Sequence, residues 1–301
     1  MLEQIPSYLL PVFSALLWAL SAPLINQGVR GLPAAMGRSG ILLGLFVSCW
    51  SGALCLSAFV WLNGIPFAFN GALFLAGILT FPLATATYYL ASISFKNHTE
   101  IASQFAKSKP LITLPIAYLL LGEPVEQGLW LSIPLIVVGV GIFLVQSMRG
   151  DTALKPVVFG LLAAVFWALG EIFMKLGLTE NSPLADTYAA LLSGALGISC
   201  YLPFFLGPVI QQRSAIGTWL WPFCAHGIIS FGFAYVFFFS SLAEYGVMKT
   251  VVINSFWPVL ALVITALINR LRRLPNEVPV YVWWAGLFLC SGSALQFVYL
   301  L

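Results

Sequence analysis

Residues 100–110 read Glu-Ile-Ala-Ser-Gln-Phe-Ala-Lys-Ser-Lys-Pro, and the apolar run Leu-Ile-Thr-Leu-Pro-Ile-Ala-Tyr-Leu-Leu-Leu follows at 111–121. Lys107 and Lys109 thus lie inside a segment that otherwise suits a lipid bilayer. An ionised side chain at this depth costs about 3 kcal/mol on insertion scales, so it normally faces a bundle interior or an aqueous cavity. The segment therefore predicts a membrane protein that handles a polar molecule between its helices.

The composition excludes several classes of protein. Apolar residues make up 60% of the chain and charged residues 8%, whereas a soluble domain carries roughly 25% charged residues. A net charge of +3, with no basic patch among aromatic residues, gives no support for nucleic-acid binding. The five cysteines form no CxxC pair, and His98 and His226 have no ligand cluster around them. We therefore predict no metal, no cofactor and no catalytic residue.

Apolar segments of about 20 residues, the length that crosses a bilayer, recur along the whole chain. Short loops with Gly, Pro and Asn separate them. The ten predicted spans are 8–28, 40–62, 71–95, 100–121, 128–147, 157–178, 187–206, 218–242, 247–269 and 280–300.

The two halves of the chain resemble each other. The tripeptide Trp-Ala-Leu at 18–20 recurs at 167–169, and Pro-Leu-Ile at 110–112 aligns with Pro-Val-Leu at 258–260. The order of such matches along five spans predicts two five-helix repeats, at 1–150 and 151–301. Because five is odd, the second repeat must be inverted relative to the first, as in many secondary transporters.

The loops differ in charge. Most of the thirteen basic residues fall in loops that follow odd-numbered spans, whereas the opposite loops carry acidic residues. The positive-inside rule therefore predicts that the odd loops are cytoplasmic and that both termini are external. The basic residues of these loops are Arg30, Arg38, Lys96, Arg149, Lys155, Arg213, Arg270, Arg272 and Arg273.

These features together resemble the EamA-like ten-helix transporters of the drug/metabolite transporter (DMT) superfamily. The resemblance rests on the duplicated halves, the Trp-Ala-Leu motifs, the prolines Pro110 and Pro258, and the sequence Leu-Leu-Leu-Gly-Glu-Pro at 119–124. It implies an all-α membrane protein whose two inverted five-helix repeats surround a central cavity. It also implies alternating-access transport of small metabolites, commonly export. The second repeat departs from the family because Arg270 and its neighbours replace the Gly-Glu ending.

Lys107 is the first candidate for substrate binding. Ser103, Gln104 and Lys107 share a helical face, and a distortion before Pro110 could bring Lys109 towards the same cavity. Lysines here favour a substrate with a carboxylate, a phosphate or another anionic group. The structural alternative is that Lys107 pairs with Glu100 or Glu171 and only fixes the bundle.

Glu171 is the deepest carboxylate and lies one turn from both Trp167 and Lys175. It is a candidate proton-coupling site, and a static Glu–Lys pair is the alternative. Lys175 is near the helix end, where its side chain can extend to the membrane interface.

Further candidates for substrate binding come from other spans. Their hydroxyl, amide, indole and phenol groups suit hydrogen bonding or stacking with a small solute, although packing between helices would also explain them. They are Thr250, Asn254, Trp257, Trp18, Trp167, Tyr88, Tyr89 and Tyr235.

The sequence favours a secondary active transporter that exports its substrate by alternating access over an enzyme.

 Its substrate would be a small polar metabolite, anionic or zwitterionic, such as an amino acid, an organic acid or a phosphorylated compound, with a proton as the coupling ion. The alternative is a polytopic membrane enzyme or a flippase-like lipid-handling protein, but an enzyme would need convergent His, Asp or Ser residues that the chain does not supply. We expect a monomer or homodimer in the bilayer of a bacterial inner membrane.

Overall fold

A computed structural model describes residues 5–94, 107–147, 154–180, 182–211, 217–271 and 280–301. Within these ranges the chain forms helices and no strands, as predicted. π-helical turns join α3 to α4 at Leu79–Ala84 and α10 to α11 at Gly227–Ala234. The helices are α1 (Leu10–Arg30), α2 (Gly37–Leu62), α3 (Gly71–Ile78), α4 (Thr85–Ser94), α5 (Lys109–Leu121), α6 (Gln127–Ser147), α7 (Leu154–Gly177), α8 (Pro183–Cys200), α9 (Leu202–Gln211), α10 (Trp221–His226), α11 (Tyr235–Asn254), α12 (Trp257–Leu271) and α13 (Val280–Val298).

The helices confirm a multi-pass membrane protein. Seven helical runs in the described ranges are long and apolar enough to cross a membrane, and α8 with α9 makes an eighth if this bent pair is one span. Helix α5 and the part Trp257–Ile268 of α12 are shorter apolar helices. The full set of ten spans therefore stays a prediction. The seven runs are Ser7–Arg30, Gly37–Leu62, Gly71–Tyr89, Gln127–Gln146, Val157–Gly177, Trp221–Asn254 and Val280–Val298.

Two predicted spans are not continuous helices, and prolines account for both differences. The predicted span 187–206 bends by 63° between α8 and α9, where Pro203 is the second residue of the new helix. The predicted span 247–269 is interrupted after Asn254, and α12 starts at Trp257 with Pro258 in its first turn. Proline lacks the N–H of a helix interior and disfavours helical angles in the preceding residue, so each helix restarts at the proline.

The two halves of the chain pack into one bundle. α1 contacts α11 and α12, α2 contacts α8, α5 contacts α7, and α6 contacts α13. Two glycines allow close backbone approach: a Cβ atom on Gly77 would lie 2.0 Å from the Ala190 carbonyl oxygen, and one on Gly227 would lie 2.1 Å from that of Ser48. Small residues commonly mark such contacts between membrane helices. The inverted repeat and its boundaries stay predictions.

Candidate functional site

A buried ion pair lies where α5 packs against α7. The Lys109 ammonium pairs with Oε1 of Glu171, whose residue is only 3% exposed. Thr113 lies one turn after Lys109 on α5, and its hydroxyl donates a hydrogen bond of 3.0 Å to the other carboxylate oxygen, Oε2. Pro110, in the first turn of α5, fixes the start of the helix at Lys109. Three side chains from two helices thus satisfy one another in the apolar interior.

Aromatic rings surround the ammonium end of this pair. The Lys109 Nζ atom lies 5.7 Å from the ring centroid of Trp18 and 5.9 Å from that of Phe238, within the range of a cation–π interaction. Trp18 also contacts Tyr235 and Trp257, with ring centroids 5.1 and 6.4 Å away. Helices α1, α11 and α12 therefore bring three predicted site residues together beside Lys109.

A second aromatic group lies on the side of α4 and α7. The Trp167 ring is 5.6 Å from that of Tyr88, which in turn is 6.0 Å from that of Tyr89. Trp167 is one turn before Glu171 on α7, so this helix presents both an aromatic ring and the carboxylate. The predicted aromatic residues thus form two groups in the described structure.

Thr250 and Asn254, both on α11, have different environments. The Thr250 hydroxyl shares a hydrogen bond of 2.8 Å with the Ser241 hydroxyl on the same helix. Asn254 is 2% exposed, and neither polar atom of its side-chain amide has a hydrogen-bond partner among the described residues. A buried amide without a partner costs about 1–3 kcal/mol. Among the described residues the Asn254 amide thus has unused hydrogen-bonding groups, whereas the Thr250 hydroxyl already has one partner.

Lys107 does not share the position of Lys109. Its Nζ atom lies 4.9 Å from the ring centroid of Phe143 on α6. Ser103 and Gln104, the predicted neighbours of Lys107 on one helical face, lie outside the described residues, as does Glu100. Glu171 takes Lys109 as its partner rather than Lys107.

Two further polar residues take part in the interior contacts. Thr113 was missed by the sequence analysis, although its spacing of one turn from Lys109 is a signal that could have identified it. Lys175 does not extend simply to the membrane interface, because its Nζ atom donates a hydrogen bond of 2.7 Å to the Leu242 carbonyl oxygen on α11. No sequence pattern indicates that contact, since the two residues belong to different helices.

The Glu171 side chain is 4% exposed and the Lys109 side chain 15%. Two pockets, of about 470 and 350 Å³, lie elsewhere. In the described ranges no three His, Cys, Asp or Glu side chains are grouped in a way that could hold a metal ion. The first pocket is lined by Phe69, Asn70, Gly71, Phe74, Ser193 and Leu196, and the second by Gln27, Gly31, Pro33, Gly217, Trp219, Trp221 and Pro222.

Comparison with known families identifies the second half of the chain. Residues 154–297, which include Glu171, Asn254 and Trp257, match the EamA-like transporter family. These residues belong to that family. The match confirms, over this second half of the chain, the resemblance to the EamA-like transporters of the drug/metabolite transporter superfamily, and the apolar helices make the chain a multi-pass membrane protein.

Solved structures show that the likeness in fold extends beyond the EamA-like half. One crystal structure, described only as that of a protein, superimposes with a TM-score of 0.68 at 15% sequence identity. The superposition covers 97% of this chain and 98% of the other. At this identity the match concerns the fold alone. None of the curated proteins matches the sequence.

Proposed function

We propose that this EamA-like protein is a secondary active transporter that exports a small zwitterionic or anionic metabolite by alternating access. The buried pair of Lys109 and Glu171 carries the proposal. A buried ion pair is weak evidence of a purely structural role, because apolar side chains of similar volume often hold helices together at lower desolvation cost. Both charges have a function in the interior if a charged solute can replace each side chain as the partner of the other.

A zwitterion such as an amino acid complements both members of the pair. Its carboxylate would bind Lys109 while its ammonium group binds Glu171, so neither buried charge loses a partner when the pair separates. Charge-assisted hydrogen bonds of this kind are about twice as strong as neutral ones. Trp18 and Phe238, whose rings already lie beside Lys109, would contact the apolar part of the solute.

An anionic solute requires one further step. It would bind Lys109 and leave the Glu171 carboxylate with Thr113 alone, which is unfavourable at 3% exposure. Binding of a proton to Glu171 would remove this charge. Glu171 would therefore couple proton and solute transport. It would bind a proton while the solute binds Lys109, and it would pair with Lys109 again when both have left.

Other predicted site residues have supporting roles in this proposal. The unpartnered Asn254 amide would bind a polar group of the solute, and Trp257 contacts Trp18 next to the ion pair. Lys107, near Phe143, would attract an anionic group on its way to the site. The charge bias of the loops supports external termini, and we place the protein in a bacterial inner membrane.

A ligand screen tests the proposal directly. Purified protein is heated with amino acids, organic acids, phosphorylated metabolites or lipids, because a ligand that binds the folded state stabilises it by mass action. We expect an amino acid or organic acid to raise the melting temperature and to be taken up saturably by proteoliposomes. Chemical conversion of the ligand would instead indicate an enzyme, and movement of a labelled phospholipid alone would indicate a lipid-handling protein.

The coupling step has a separate test in the same proteoliposomes. Glu171→Gln keeps the size of the side chain and an acceptor for Thr113 but cannot release a proton. For an anionic solute, which binds Lys109 alone, we expect uptake by this variant to lose most of its dependence on a proton gradient while counterflow of solute persists. If the gradient dependence is unchanged, Glu171 has a structural role only.

A further inference from the structure

Helix α11 is broken at Gly246. This residue lies in the loop that the sequence predicts between the spans 218–242 and 247–269. Gly246 has φ 79° and ψ −179° inside the helix, a backbone conformation that residues with a side chain rarely adopt. It divides α11 into the segments 235–245 and 247–254, and the second segment carries Thr250 and Asn254. Two helix ends therefore meet at Gly246, and each leaves backbone groups without a partner in its own segment.

A carboxylate from another part of the chain binds the amide end. Glu123, in the connection between α5 and α6, accepts hydrogen bonds of 2.7 Å from both the Val247 and the Met248 backbone N–H groups. A Cβ atom on Gly246 would lie 2.7 Å from Oε1 of Glu123, so the glycine also leaves space for the carboxylate. Negative charge is stabilising at a helix N-terminus. Glu123 thus binds the start of the second segment.

A lysine binds the carbonyl end. The Lys175 side chain reaches from α7 to the Leu242 carbonyl oxygen, 2.7 Å away, in the last turn before Gly246. Positive charge is stabilising at a helix C-terminus. The hydrogen bond between Ser241 and Thr250 then joins the two segments directly across the break. The connection between α5 and α6 therefore contacts the segment after Gly246, and α7 contacts the segment before it.

We propose that Glu123 and Lys175 form a latch that closes the membrane face containing Gly246, and that release of this latch opens α11 at the glycine during transport. The latch rests on the proposed transport function. Lys175 lies one turn after Glu171 on α7, so a movement of that helix when the ion pair separates would reach the latch directly. Glu123 and Lys175 are positioning residues, because their hydrogen bonds go to the backbone of α11 and not to Lys109 or Glu171.

A neighbouring ion pair provides a matched control. Glu126 pairs with Lys249 at 2.6 Å, on the same connection and the same helical segment as the Glu123 contacts, but its side chain is 53% exposed. Exposed pairs contribute little to stability. Glu126→Gln therefore removes one carboxylate from the same face without removing a backbone contact at the break.

The test measures access to a single reporter thiol without any solute. The five native cysteines are replaced, and Ser255→Cys places a thiol at a position that is 6% exposed, just after the second segment. A membrane-impermeant maleimide is then added from either face of oriented vesicles. We expect Glu123→Gln and, independently, Lys175→Met to speed labelling from the face of Glu123 by about fivefold or more and to slow it from the opposite face, with Glu126→Gln within about twofold of the parent.

Opposite changes at the two faces would identify a latch, whereas a brace that only stabilises the fold would give equal increases from both faces. Equal increases, or unchanged labelling in both variants, would overturn the proposal. If Glu123→Gln does not fold, Glu123→Asp retains the charge but shortens the side chain, and Lys175→Met tests the other contact. Because no solute is used, a negative result refutes the latch without bearing on the ligand screen.

Discussion

A double-mutant cycle on Lys109 and Glu171 should separate the effect of the Lys109 ammonium group on stability from its effect on substrate binding. In Lys109→Met the Glu171 carboxylate would keep only its hydrogen bond from Thr113, at 3% exposure. Loss of one partner from a buried pair costs about 3–5 kcal/mol. Because Glu171 keeps one hydrogen bond, we expect about 3 kcal/mol, at the lower end of that range.

The second change in the cycle removes the charge that Lys109→Met leaves behind. In Lys109→Met/Glu171→Gln no charge remains at the site, and we expect the free energy of unfolding to recover by about 2 kcal/mol relative to Lys109→Met. The four proteins of this double-mutant cycle can be compared by unfolding in mixed micelles that contain increasing sodium dodecyl sulfate. The cycle isolates the interaction between the two side chains from the cost of each substitution.

Substrate affinity, unlike stability, should not recover in the double variant. A charge-assisted hydrogen bond from Lys109 to the solute carboxylate contributes about 1.5–3 kcal/mol, which corresponds to roughly a ten- to hundredfold change in Kd. We expect Lys109→Met and the double variant to show this loss, measured by calorimetry with the solute from the ligand screen. Normal affinity in the stable double variant would refute a role for Lys109 in substrate binding.

Three further predictions concern other parts of the chain. Lys107→Met should lower affinity for an anionic solute by about tenfold with little change in unfolding, and unchanged affinity would assign the lysine to packing. Gly77→Ala should reduce the free energy of unfolding by about 2 kcal/mol or more because its Cβ would lie 2.0 Å from the Ala190 oxygen, whereas Gly141→Ala, with open space around it, should not. A periplasmic reporter fused after Leu301 should be active, and activity of a cytoplasmic reporter instead would refute the external termini.

The sequence by itself determined the class of protein. Its apolar segments required helices, since backbone polar groups in lipid must be paired within the segment. The cost of Glu171 and the lysines in those segments indicated an interior site. The motifs around Trp18 and Trp167 indicated the family, which the match at 154–297 confirms. These conclusions depend on local composition and spacing, which a sequence displays directly.

The tertiary structure decided which polar groups meet. Glu171 pairs with Lys109 rather than Lys107, although the two lysines are neighbours in sequence, because the start and rotation of α5 determine which ammonium group faces α7. Glu123 binds the amides beside Gly246, a contact between residues far apart in the chain. Partner choice of this kind depends on distances between helices and on the positions of their breaks, and no local pattern specifies either.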